Sequence, residues 1–81
     1  MERKELRSLI ITELVRIAPD VDPSDVPDDE DLRDALDLDS MDFMRLLTAV
    51  HQTTGVNIPE SDYRQVLQLD QMLDYLQAHG G

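Results

Sequence analysis

A chain of 81 residues with no cysteine, 18 acidic against 7 basic side chains and a net charge of −11 has room for one small core, and it lacks a disulfide framework, a Cys-based metal site and a thiol nucleophile. Its field repels nucleic acid and anionic lipid and steers basic surfaces toward it, so the expected partners are proteins with Lys- and Arg-rich docking patches. Apolar runs of only a few residues exclude a membrane span, and a charged start lacks the apolar region of a signal peptide; the expectation is one domain over residues 1–81, monomeric and cytoplasmic.

From Glu2 to Ile17, the residues Leu6, Leu9, Ile10, Leu14 and Ile17 recur at helical spacing with no Gly or Pro between them, which predicts a first helix. Pro19 ends it, because the residue before a proline is pushed out of the helical region. Residues 19–38 form a long connection carrying Pro19, Pro23 and Pro27, and from Asp20 to Asp42 eleven acids stand against Arg33 alone. Val21, Val26 and Leu32 can anchor this connection, and Leu32, Ala35 and Leu36 predict one helical turn near its end. A calcium loop beginning at Asp20, with Asp22 and Ser24 following, fails on geometry, which leaves a solvated acidic run as the favoured reading and weak divalent-cation binding as the alternative. Asp25 stands where the tight turn needs Gly, Pro23 interrupts, and a second flanking helix is missing.

The second helix is predicted over Ser40–Thr54, stopped by Gly55. Asp39 or Ser40 supplies its N-cap, and Asp42 in the first turn complements the helix dipole. Phe43, Met44, Leu46, Leu47 and Val50 form one apolar stripe expected to face the core, whereas Met41 falls on the outer face beside Arg45 and Thr48. Two readings of Ser40 stand side by side: a capping residue with nothing more implied, or an exposed hydroxyl accepting a phosphate-linked group whose charge the helix start favours. Beyond Gly55, Val56 and Ile58 anchor an extended crossing. A short third helix is predicted over Ser61–Val66, and a fourth runs from near Asp70 to Gly80, turning Met72, Leu73, Tyr75 and Leu76 inward. With no strand alternation, three main helices and one short one predict an all-α four-helix bundle with a long loop between the first two.

In this order and spacing, several stretches resemble the acyl carrier protein family over essentially the whole chain. Asp39-Ser40-Met41-Asp42 resembles the family's Asp-Ser-Leu-Asp/Glu attachment motif at the start of its second helix. Val56-Asn57-Ile58-Pro59-Glu60-Ser61-Asp62 is similar to its Ile-x-Ile-Pro-Asp-x-Asp segment, and Asp70 through Leu76 to its Val-Gly-Asp-x-Val-x-Tyr-Ile helix. The resemblance implies that Ser40 becomes a phosphodiester of 4'-phosphopantetheine, donated by coenzyme A through a separate phosphopantetheinyl transferase. Acyl, aminoacyl or polyketide intermediates would then ride as thioesters on the incoming thiol. It further implies that Asp39, Met41 and Asp42, with Arg45 on the same face, contact the transferase and the acyl-loading and acyl-using enzymes, and it makes Met44, Leu46, Leu47 and Val50 candidates to line an acyl cleft, although as core residues they need no such role.

Ser40 has no Gly-x-Ser-x-Gly setting and no oxyanion-hole signature, so a carrier modified by other enzymes is expected rather than a hydrolase. Three departures from the family pattern imply a carrier dedicated to a specialised pathway. Asp37 stands at a usual Gly, Arg45 at a usual Glu, and His51-Gln52-Thr53-Thr54 at a usual Glu-Glu-Glu-Phe. The alternatives are an acidic helical interaction module in which Ser40 only caps, and a ubiquitin-like modifier suggested by Gly80-Gly81, for which strand periodicity is missing. His51 and His79 lack companion ligands, so no metal site is expected.

Overall fold

Leu6, Ile10 and Leu14 repeat at i, i+4, and in the computed structural model, which describes residues 1–80, they form the buried face of helix α1, Arg3–Ile17. The helix stops just before Pro19: Ala18 has left the helical region, although its N–H still donates to the Leu14 carbonyl at 2.8 Å. At the other end, the Arg3 guanidinium donates to Asp74 and Gln77, both at 2.8 Å, tying the start of α1 to the last helix.

The two short turns within the long acidic connection are capped by its own aspartates. Asp22 caps a 3-10 turn over Pro23–Asp25, accepting from the Ser24 hydroxyl at 2.7 Å and the Ser24 N–H at 2.9 Å. Those bonds hold its carboxyl below the usual range. Asp31 caps helix α2, Leu32–Ala35, which is the single turn expected there. The Arg33 guanidinium closes on Asp31 at 3.0 Å, and this bond keeps the Asp31 carboxyl below its ordinary value. Two backbone bonds stitch the connection to the chain ahead: Leu32 N–H to the Leu67 carbonyl and Asp70 N–H to the Asp28 carbonyl, both 2.9 Å. Val26 and Leu32 are buried, as their role as anchors requires.

Helix α3 spans Ser40–Thr54 and ends at Gly55, which adopts φ 76°, the left-handed conformation that closes helices and that glycine takes without strain. The short third helix expected over Ser61–Val66 is a 3-10 helix over Glu60–Gln65. It is pinned to helix α4, Leu69–Ala78, by the Tyr75 hydroxyl, which donates to Asp62 at 2.6 Å; that bond also lifts Tyr75 above the usual phenol range. Leu69, Met72, Leu73, Tyr75 and Leu76 turn inward from α4.

The long helices α1, α3 and α4 thus surround one core, where Ile10, Leu14, Leu46, Val50, Met72 and Leu76 are fully buried. Among the described residues the only β-pairing is an isolated bridge between Asp31 and Gln68, so the fold is the all-α bundle expected. No helix there is long and apolar enough to cross a membrane. Of the Gly80-Gly81 pair, Gly81 lies outside the described residues.

Met44 departs from the inward stripe of α3 that the sequence predicts for it: it is 44% exposed. On a helical wheel it lies at the margin of a stripe centred on Phe43, Leu46, Leu47 and Val50, and it projects over the open side of α3 facing the second 3-10 helix.

Candidate functional site

The segment leading into α3 is held on both sides of a sharp turn. Leu38 is buried, and its N–H donates to the Arg33 carbonyl at 2.9 Å. Between Leu36 and Leu38, Asp37 adopts φ 55°, the one positive φ among the described non-glycine residues. Aspartate is among the few L-residues that visit this region, at a cost of about 1 kcal/mol relative to glycine. The turn delivers Asp39 in an extended conformation, from which its Oδ1 accepts the Asp42 N–H at 2.7 Å. The cap is therefore Asp39, and Ser40 is the first helical residue, exposed and relieved of capping.

Two grooves meet at Ser40. The outer one, about 500 Å³, runs along α3 past Met41, Met44, Arg45 and Thr48. The inner one, about 560 Å³, lies between α3 and the second 3-10 helix, with Phe43, Met44, Tyr63 and Leu67 as apolar walls and Arg33, Glu60 and Arg64 as charged ones. Arg33 lies over the Phe43 ring at 5.9 Å, fixing the near wall. Met41 is 66% exposed on the outer face, as expected, and Asp42 meets Arg45 at 3.8 Å.

Of the residues expected to line an acyl cleft, Met44 borders both grooves. Leu47 borders a third of about 350 Å³ with His51, Ile58 and Tyr63. Leu46 and Val50 are fully buried. Arg33, Tyr63 and Arg64 at the inner groove belong to none of the motifs that mark the site in the sequence. A signal existed for Arg33, the lone cation of the acidic run. The histidines are apart in role, His51 exposed on α3 and His79 stacked on Tyr75 with ring centroids 4.1 Å apart. Among the described residues no group of three or more His, Cys, Asp or Glu side chains could hold a metal ion.

A helical bundle that presents one uncommitted hydroxyl at a helix start, between two open grooves, has the build of a small carrier domain. Comparison with known proteins agrees. A family model described as "Phosphopantetheine attachment site" matches residues 8–76. The acyl carrier protein of Rubrobacter xylanophilus is 27% identical over 79 residues, 98% of this chain and 96% of the relative. That of Lactobacillus johnsonii is 27% identical over 59 residues, 73% of this chain and 74% of the relative. The chain belongs to the acyl carrier protein family of phosphopantetheine-binding proteins. It is accordingly a carrier rather than an enzyme, and its prosthetic group is covalently attached 4'-phosphopantetheine.

The residues at the start of α3 fit that group. An exposed hydroxyl offers an oxygen for a phosphodiester, and the first N–H groups of a 15-residue helix favour the added negative charge.

Proposed function

We propose that Ser40 is the attachment point and that the chain, acting as a single cytoplasmic domain over residues 1–81, holds acyl intermediates there for partner enzymes. The observation that carries this reading is the division of labour at the helix start: Asp39 caps α3, which leaves the Ser40 hydroxyl exposed and chemically spare. A separate phosphopantetheinyl transferase forms the Ser40 Oγ–phosphorus bond as the pyrophosphate link of coenzyme A breaks, and adenosine 3',5'-bisphosphate leaves with the bridging oxygen. The serine proton passes to that enzyme, so this chain needs no base of its own. Once bound, the arm supplies a thiol that carries the acyl group as a thioester.

The chain's own residues position and shelter. Phe43, Met44 and Tyr63 offer an apolar lining where an acyl chain can fold back. Leu46 and Val50 hold α3 on the core beneath it, and Leu47 serves the third groove. Asp39, Met41, Asp42 and Arg45 form the partner face. The test is incubation with coenzyme A and a broad-specificity transferase, then acyl loading. The expected result is one added phosphopantetheine on the peptide containing Ser40 and acylation that hydroxylamine removes. No added group, or one mapped to another residue, overturns the assignment.

The face itself supports a dedicated pathway. From Phe43 to Thr54, helix α3 contains no acid in a chain that has 18, and its outer side offers Met41, Met44, Arg45 and Gln52. A basic docking patch finds carboxylates only at the first turn. Acyl transfer from a fatty-acid-synthesis acyltransferase is therefore expected to run about tenfold slower than onto a carrier with an acidic second helix. That corresponds to losing roughly 1.4 kcal/mol of charge complementarity. Equal rates in a side-by-side assay would contradict the specialised reading.

A further inference from the structure

We propose that Arg64 is the counter-ion of the arm's phosphodiester, reaching from the second 3-10 helix and laying the arm into the inner groove; this rests on Ser40 as the attachment point. Three arginines share a groove wall with Ser40. Arg33 is committed, bonded to Asp31 at 3.0 and 3.2 Å and lying over the Phe43 ring at 5.9 Å. Arg45 faces Asp42 across the outer groove at 3.8 Å.

Arg64 stands apart from both. Acids outnumber cations 18 to 7 in this chain, and among the described residues every arginine except Arg64 is in an ion pair. Glu60 lines the same groove without pairing to it, and Asp74, which borders a neighbouring groove with Arg64, is taken by Arg3 at 2.8 Å. An exposed guanidinium left single amid so many carboxylates, in a wall it shares with Ser40, has a place for an anion that arrives later.

The phosphodiester is that anion. It stays ionised across the physiological range, and it offers paired oxygens that suit the guanidinium fork. It is attached directly to the Ser40 oxygen, so it lies at the Ser40 end of the groove, whereas the thioester lies a full arm's length away. Asp39 and Asp42 flank Ser40 and repel a new negative charge, so a cation on the groove side offsets a real cost. Arg64 comes from a 3-10 helix fixed by the Tyr75–Asp62 bond, which gives it a stable base. Holding the phosphate there aims the arm over Phe43, Met44, Tyr63 and Leu67 instead of across Met41.

The test uses wild type and Arg64→Gln, each as apo-protein and after loading by a transferase, with intact mass confirming the arm. The wild-type Arg64 Nε–Hε resonance, assigned by its absence from the variant, is expected to shift on loading. The phosphorus transverse relaxation rate of the loaded protein is expected to fall severalfold in Arg64→Gln as the phosphate regains its own motion. Arg64→Lys recovers part of the loss as a point charge. Either an unmoved Arg64 resonance or equal phosphorus relaxation overturns this counter-ion role and leaves Ser40 as the attachment point. A wild-type protein that does not load overturns both, and if only Arg64→Gln resists loading, the wild-type apo-to-holo comparison decides alone.

Discussion

Ser40→Ala is expected to abolish loading by transferase and coenzyme A while leaving the free energy of unfolding within about 0.5 kcal/mol of wild type. The loss is total because alanine offers no oxygen for the phosphodiester. The fold is spared because Asp39 makes the cap and alanine is a good residue for a first helical turn. Asp39→Ala is the converse. It removes the carboxylate that accepts the Asp42 N–H, so it should cost about 1 kcal/mol, the usual worth of an N-cap, yet it keeps the hydroxyl and remains loadable at a reduced rate. Because Asp39 belongs to an overcharged chain, its removal also relieves repulsion, and the comparison belongs at high salt, where that relief is screened. Intact mass reads the loading and denaturant unfolding reads the stability. If Ser40→Ala lost as much stability as Asp39→Ala, the hydroxyl would be a second cap and the division of labour at the helix start would be wrong.

The boundaries of α3 were legible because three local signals coincide: an aspartate able to cap, an apolar stripe at helical spacing and a glycine stop. The acidic connection was legible only where its determinants are local. Val26 and Leu32 read as anchors, and the Asp22-Pro23-Ser24 turn, though not expected, has the sequence of a capped first turn with proline inside. What fixes the connection is not local. The bonds from Leu32 to Leu67 and from Asp70 to Asp28 join positions more than thirty residues apart, and nothing in either segment names the other. Asp37 is a mixed case: the sequence marked the lost glycine, while the structure shows that aspartate accepts the same left-handed conformation. At the site, Ser40, Asp39 and Met41 could be read from one motif and one helical wheel. Tyr63 and Arg64 could not, because only the packing of the second 3-10 helix brings them to the groove.

Leu46→Ala and Met44→Ala should separate the core of α3 from its groove, although the two residues share one apolar stripe in the sequence. Leu46 is fully buried, and truncating it removes burial and leaves a cavity, for a loss of about 3 kcal/mol. A domain of this size has roughly 4–12 kcal/mol in all. The loss should therefore lower the melting temperature by roughly 15 °C, at about 4–8 °C per kcal/mol for a chain this short. Met44 is 44% exposed and borders both grooves, so Met44→Ala forfeits only part of a side chain's burial and should cost less than about 1 kcal/mol. Its effect belongs to the loaded protein, where a wider inner groove should reduce whatever stability an acyl chain adds by folding back. Thermal unfolding of the two apo variants decides the first point, and unfolding with and without a medium-length acyl group decides the second. Equal losses at the two positions would mean that Met44 packs in the core as Leu46 does and that the open side of α3 is closed in solution.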